Sequence, residues 1–215
     1  MTYRSIALAG ALLTMLACGA GSGAALPASS TAGSVSVQPG DLPSGMVKCD
    51  LTGSIDSFLA KEKTADPTTY NSTTAEWNSA KDSGATAAYV AFYADSASHC
   101  TTIKTSGSQI GTATYKVVVN FVVEFKDVAS ATKAYTSDSV FGFSVSQFKG
   151  GGVPLVDGTA TGLTANSLVL SASVASQAFY IAVWQNKTFM VILALLNNDA
   201  TTGKKVALAE NSRIK

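Results

Sequence analysis

Residues 114–125 read TYKVVVNFVVEF, and residues 189–196 read FMVILALL. Both stretches are rich in β-branched, aromatic and aliphatic side chains, which favour extended chain packed against its neighbours. The second stretch is apolar at every position, so it predicts a central strand that other elements cover, at least in part, on both faces. The rest of the domain is expected to build outward from these two strands.

Shorter patterns on either side predict the remaining elements. Further strands are expected at residues 86–94, 141–148, 167–174 and 178–185. Helices are expected after capping residues, with Ser54 before residues 55–64, Asp127 before residues 128–137 and Asp199 before residues 200–211. Asp66-Pro67 is expected to break the first helix, and Thr73 with Glu76 has the spacing of a capping box that starts another.

This order of elements predicts an α+β fold, with an antiparallel sheet of about five to six strands and helices packed on one face. The chain also shows a weak internal repeat. Two long strands are each preceded by another strand and followed by an Asp cap and a helix. Two ββα halves would explain the repeat, but an α+β domain can show such units by chance, and both explanations stay open.

The first residues have the pattern of an export signal. A polar start with Arg4 precedes the apolar residues 6–17, a run too short to span a bilayer comfortably. The run ends in Met15-Leu16-Ala17-Cys18, which resembles the lipobox of bacterial lipoproteins. The resemblance implies a signal peptide over residues 1–17 and a lipid anchor, including palmitate, on Cys18. An ordinary secretory signal cleaved near Ala25 is the alternative.

The predicted organisation has two parts after the signal peptide. Residues 18–45 are expected to form a flexible tether, because residues 19–37 are almost entirely small and carry no charge. Residues 46–215 are expected to form a single α+β domain. Lipid, tether and domain together place the protein at the cell membrane, facing outside the cytoplasm.

The three cysteines fit this compartment. With Cys18 as the lipid attachment, Cys49 and Cys100 remain, and in an exported chain they are expected to form a disulfide. A thiol or metal pair is the alternative. His99 is the only histidine and no CxxC spacing is present, so the ligands of a zinc site are missing from the sequence pattern.

Composition argues against several functions. Hydrophobic residues make up 47% of the chain and charged residues 13%, and the formal net charge is +1. Without a basic stripe to follow a phosphate backbone, we expect no nucleic-acid binding. No GxSxG elbow, P-loop or paired-carboxylate pattern is found, so we expect no catalytic residues, no metal and no cofactor.

Aromatic residues are the remaining candidates for a binding site. We expect a shallow ligand cleft or, as the alternative, packing of the same side chains in the core between sheet and helices. The candidate residues are Tyr70, Trp77, Tyr89, Tyr93, Tyr180 and Trp184.

The expected function is that of a membrane-anchored, monomeric surface lipoprotein with a non-enzymatic binding or sensing domain. Its partner would be a small molecule or an envelope protein. The alternatives are an envelope hydrolase that uses carboxylates and a scaffold that acts by protein–protein contact. In segment order the chain is similar to exported lipoproteins with a PsbP-like domain and to extracytoplasmic sensor domains of kinases. Neither similarity carries a functional residue.

The lipid anchor gives a direct test. Replacing Cys18 by Ser removes the thiol to which the diacylglycerol would be joined, so labelling of the protein with radioactive palmitate should disappear. A Cys49→Ser variant, which keeps Cys18, should still be labelled. Label retained after Cys18→Ser would refute the interpretation as a lipoprotein.

Overall fold

The centre of the fold is one antiparallel sheet. The computed structural model describes residues 29–137, 139–152, 154–174 and 176–215, and eight strands occur within those ranges. In chain order the strands are β1 (Val47–Lys48), β2 (Gly53–Ser54), β3 (Ala85–Ala94), β4 (Val117–Phe125), β5 (Leu155–Asp157), β6 (Ser167–Val174), β7 (Gln177–Asn186) and β8 (Phe189–Leu196).

The strands lie side by side in the order β1-β3-β4-β8-β7-β6-β5, and β2 also pairs with β3. The two stretches within residues 114–125 and 189–196 form neighbouring strands. Val117 of β4 lies opposite Leu196 of β8, and Glu124 lies opposite Phe189. The strand predictions at residues 167–174, 178–185 and 188–196 therefore agree with β6, β7 and β8.

Seven α-helices occur in the described residues, with short 3₁₀ turns between some of them. They are α1 (Ala32–Val35), α2 (Ile55–Ala65), α3 (Pro67–Asp82), α4 (Ala97–Thr105), α5 (Val128–Ser137), α6 (Val145–Gly150) and α7 (Ala200–Asn211). The predicted caps are present. The side chains of Ser54, Asp127 and Asp199 each accept a hydrogen bond from a backbone N–H in the first turn of the following helix.

Helices cover both faces of the sheet. Residues of α2, α3, α4, α5 and α6 pack on one face, which we call the first face. Residues of α1 and α7 pack on the other, which we call the second face. The reason lies in β8, where seven of the eight residues are buried and the eighth, Ala194, is partly buried. Neighbouring side chains of a strand point to opposite faces, so a strand apolar throughout needs cover on both.

The α+β class is thus confirmed, and two finer expectations need correction. The sheet has eight strands in the described residues where about five to six were expected, and the helices lie on both faces instead of one. The pairs β3–β4 and β7–β8 do flank the centre symmetrically. Their following helices, α5 and α7, lie on opposite faces, so the two ββα units are not related by a two-fold axis through the sheet.

Two local predictions are also wrong. Asp66-Pro67 does separate two helices, but Asp66 caps α3 and Pro67 is its first residue, so Thr73 lies inside a helix. Residues 141–148 do not form a strand. They contain the bridge between Val140 and Phe143 and the start of α6.

The expected tether is ordered in its second part. Residues 18–28, with Cys18, lie outside the described residues. Residues 30–42, which we call the N-terminal strap, lie across the second face, where Val35 and Val37 are almost completely buried. The Val37 N–H donates to Asn120 Oδ1 (3.1 Å), and the Tyr93 hydroxyl donates to the Val37 carbonyl (3.0 Å). Ala32, Val35 and Val37 of the strap belong to the core of the second face, and Leu42 packs against it.

Arg213, just after α7, fastens the strap. Its guanidinium donates to the backbone carbonyls of Val35 (3.1 Å) and Ser36 (3.0 Å) and binds both carboxylate oxygens of Asp41 at 3.0 and 2.8 Å. The Ser30 hydroxyl donates to the Arg213 carbonyl at 2.8 Å. A planar guanidinium with five donors suits such a set of acceptors, which an ammonium group would not match.

The predicted disulfide is present between Cys49 and Cys100, whose Cα atoms are 5.2 Å apart. It joins the segment between β1 and β2 to α4. The bond closes a loop with a sequence separation of 51, which corresponds to up to about 4 kcal/mol of stabilisation in the chain-entropy account.

Loss of the Arg213 guanidinium, whose hydrogen bonds we call the fork, should loosen the attachment of the strap to the second face. Arg213→Ala removes the guanidinium from the Val35 and Ser36 carbonyls and from Asp41, which keeps only its hydrogen bond from the Gln38 N–H. The free energy of unfolding should therefore fall by about 2–3 kcal/mol. Urea denaturation measures this loss, and hydrogen exchange should show faster exchange of the Val37 amide. Lys205→Ala, at an exposed position of α7, is the control and should change neither. An unchanged Val37 exchange rate in Arg213→Ala would contradict the role of the fork.

Candidate functional site

A cavity of about 250 Å³ lies between the first face of the sheet and helices α2, α3 and α4. Its walls are mainly apolar. The lining residues are Leu51, Phe58, Glu62, Thr69, Thr73, Phe92, Ile103, Gly107, Ile110, Val119, Phe121, Phe143, Ala194 and Leu196.

The cavity exists because the helices leave the middle of the first face incompletely covered. Along β4, Val118 and Val122 point to the second face and are fully buried, whereas Val119 and Phe121 point to the first face and are only partly buried. Ala194, opposite Val119 on β8, is also partly buried. These residues form an apolar floor in the centre of the sheet, where a folded protein normally packs other side chains.

Glu62 provides the charged group of this cavity, which Thr69 and Thr73 also line. It follows Ile55 and Phe58 on the buried side of α2, and only 1% of the residue is exposed. Neither carboxylate oxygen has a hydrogen-bond partner in the described part of the chain. A buried carboxylate without a partner is costly, and beside a cavity that cost points to a group kept available for a ligand.

The pKa of Glu62 is raised to about 7. Burial is the main cause, because it disfavours the charged carboxylate, and the negative charge of Asp66 raises the pKa further. The positive charge of Lys104 acts in the opposite direction. Glu62 therefore changes its protonation state near neutral pH, where a solvent-exposed glutamate is fully ionised.

Asp66, beside the cavity, stabilises the local structure through hydrogen bonds. It accepts hydrogen bonds from the Thr69 N–H (3.1 Å), the Thr69 hydroxyl (2.9 Å) and the Gly107 N–H (3.0 Å). The backbone N–H of Thr69 contributes most to lowering the pKa of Asp66. Both oxygens are thus engaged, one in capping α3 and the other in holding the segment after α4. A Cβ on Gly107 would lie 2.9 Å from Thr69 Oγ1, so this close approach requires glycine.

The disulfide and a small group of ion pairs lie beside the cavity wall that contains Leu51 and Ile103. Leu51 and Ile103, both cavity-lining, are close in sequence to Cys49 and Cys100. Asp50 accepts from Lys104 Nζ at 3.0 Å and from Lys61 Nζ at 3.3 Å, and the hydrogen bond from Lys104 is the largest cause of its lowered pKa. Lys104, whose positive charge acts on Glu62, is therefore paired with another carboxylate.

The aromatic residues predicted to share a cleft lie on opposite sides of the sheet. Tyr70 and Trp77 are on α3, above the first face, where Trp77 stacks on Phe141 with ring centroids 6.4 Å apart. Tyr89, Tyr93, Tyr180 and Trp184 belong to the second face. The predicted cleft is thus wrong, and the alternative is right for Trp77, Tyr93, Tyr180 and Trp184, which are buried in the core.

Sequence reasoning missed Glu62, although a signal was present. Residues 55, 58 and 62 fall on one side of a helix by the 3.6-residue period. An acidic residue on that apolar stripe is a candidate for a buried carboxylate. Alternation in β4 and β8 would likewise have placed Val119 and Ala194 on one face.

Other groups considered from the sequence lie elsewhere. His99 forms an i,i+4 pair with Asp95 (Nδ1–Oδ1 2.5 Å) and stacks on Tyr115 at 3.8 Å between ring centroids. Across the ranges given above, no group of three or more His, Cys, Asp or Glu side chains is placed to bind a metal ion. Among the described helices, none has the length and apolar character needed to cross a membrane.

A second buried carboxylate, Glu210, lies on α7 at the second face and is 0% exposed. Its oxygens also have no hydrogen-bond partner among the described residues, but Glu210 does not line the cavity. Burial raises its pKa well above the usual range, while the charge of Arg213 opposes this shift and that of Asp41 adds to it. Its surroundings are the strap and the tightly packed second face, so it belongs to the core under the strap.

Comparison with known proteins adds no relative: no protein-family model, curated protein or solved structure matches this chain.

Glu62 should make the protein less stable as pH rises. Its pKa is about 7 in the folded protein and 4.5 ordinarily, so the folded state binds more protons between these values and stability falls as pH increases through that window. Glu62→Gln keeps the shape but cannot ionise. It should match the original protein near pH 4 and exceed it by up to about 3 kcal/mol at pH 8.

Urea unfolding of both proteins between pH 4 and pH 8 measures the difference. Asp56→Asn, which removes a charge from an exposed position of the same helix, is the control and should show no such gain at high pH. A constant difference between Glu62→Gln and the original protein across this range would contradict the buried titration.

Proposed function

We propose that this chain is an exported lipoprotein whose domain binds a small, largely apolar molecule in the cavity beside Glu62. The observation that carries the proposal is a cavity with apolar walls and one buried carboxylate without a protein partner. Concave apolar sites with few convergent polar groups are the usual form of small-molecule binding sites. A cost in stability is expected where a group is kept for a ligand.

The volume limits the size of the ligand. A dry cavity of about 150 Å³ holds benzene, and sites for larger organic ligands begin at about 300 Å³. The cavity of about 250 Å³ therefore fits a compact molecule built on one ring or a short branched chain. This volume is too small to enclose a folded peptide or a complete lipid.

The disulfide supports the exported location, because such bonds persist in oxidising compartments. With the lipobox-like segment ending at Cys18, it supports a domain held at the outer side of a membrane by a lipid. In this proposal the protein is monomeric, and it works by binding without catalysis.

The two alternatives have weaker support. A carboxylate hydrolase needs two available carboxyl groups, and Asp66, which acts electrostatically on Glu62, has both oxygens engaged in hydrogen bonds. A scaffold needs a contiguous apolar surface. The large apolar residues most exposed in the described chain lie on five different elements, namely Val47, Val128, Val156, Val174 and Leu208.

Toluene is a suitable first probe, because it fits the size of the cavity and makes no polar contact. It should raise the melting temperature by an amount that grows with its concentration, as expected for a ligand bound to the native state. Ala194→Leu adds a side chain to the cavity floor and should remove this effect. Ala178→Leu, on β7 at the second face, makes the same substitution at another partly buried alanine and should retain it.

A loss of the toluene effect in both variants, or in neither, would contradict binding at this cavity. Heteronuclear NMR spectra provide the second readout. Toluene should shift the resonances of Val119 and Leu196, and leave those of Val206 on the second face unchanged.

A further inference from the structure

Glu62 indicates the chemical class of the ligand as well as its place. An organic molecule that only filled the apolar space would leave a desolvated carboxylate still without a partner. The group that such a carboxylate lacks is a strong donor with a positive charge, because charge-assisted hydrogen bonds are about twice as strong as neutral ones. No side chain or backbone group among the described residues supplies such a donor to Glu62.

We propose that the cavity selects organic ammonium ligands, with the ammonium group bound to the Glu62 carboxylate and the apolar body against the phenylalanine walls. This inference rests on the proposed function, since it names the ligand class of the same cavity.

The charges around the cavity favour a cation. Glu62 is the only charged side chain among the described lining residues. Asp66, from α3, adds a second negative charge nearby, and Lys104, from α4, is hydrogen-bonded to Asp50. The sheet residues that complete the lining are apolar. An anionic ligand would therefore meet two carboxylates and no available cation.

The walls are also suited to a positive charge. Phe58 and Phe92 are stacked with their ring centroids 5.7 Å apart, and Phe92 meets Phe121 edge to face at 6.4 Å. All three line the cavity. The faces of aromatic rings attract cations, most strongly at desolvated sites, and quaternary and alkylated ammonium ions are recognised by such rings. Phenylalanine adds no donor or acceptor that would compete with Glu62.

Recognition of an ammonium requires ionised Glu62, so binding should release a proton when Glu62 is protonated beforehand. The groups that set this titration are Asp66 from α3 and Lys104 from α4. Affinity for an ammonium should consequently rise from pH 5.5 to pH 8, whereas affinity for a neutral ligand of the same shape should change little.

Three probes of one shape separate the possibilities: benzylamine, benzyl alcohol and benzoate. Isothermal titration calorimetry with the purified full protein at pH 8 should show benzylamine bound at least about tenfold more tightly than benzyl alcohol, with benzoate weakest. Repeating the benzylamine titration at pH 6.5 in two buffers of different ionisation enthalpy should reveal proton release.

Glu62→Gln removes the charge and keeps the shape. It should weaken benzylamine binding by about tenfold or more and change benzyl alcohol binding by about twofold or less. Asp56→Asn, which removes an exposed charge from the same helix, should leave all three affinities unchanged and so excludes a general effect of net charge. Circular dichroism checks that both variants are folded.

The outcomes also separate this inference from the function on which it rests. Equal binding of benzylamine and benzyl alcohol, tighter binding of benzoate, or a Glu62→Gln variant that keeps the preference for benzylamine would overturn the ammonium class while the binding function stands. Failure of benzylamine and benzyl alcohol to bind, together with the absence of a toluene effect, would overturn both.

Discussion

The whole structure depends on one constraint, namely that β8 is apolar, and β4 largely apolar, towards both faces of the sheet. Such strands contribute their full hydrophobic stabilisation only when both of their faces are shielded from water. Two different layers of helices and loops cover the two faces. Five helices cover the first face, and the second face is closed by α7 and the N-terminal strap. Arg213 links these two parts of the second layer.

The two layers differ in how completely they fill their space, and this difference creates the candidate site. On the second face nearly every inward side chain of β4, β7 and β8 is buried. On the first face the helices stand apart from the sheet centre, held in place by the disulfide at one side and by the cap at Asp66 at the other. Glu62 lines the resulting cavity.

Local signals in the sequence were sufficient for much of the fold. Asp127 and Asp199 cap the helices that they were predicted to cap, and the wholly apolar β8 lies at the sheet centre. The α+β class and the disulfide followed from such signals. The strap and the cavity did not, because they depend on contacts between residues far apart in the chain. Nothing near Val37 indicates that Asn120 and Tyr93 will bind its backbone.

The strap also determines when the domain is completed during synthesis. Asp41 leaves the ribosome 172 residues before Arg213, which binds it. Contacts between such distant residues form late in folding, because a long loop must close first. Until Arg213 has been made, the strap therefore lacks the guanidinium that fastens it to the second face.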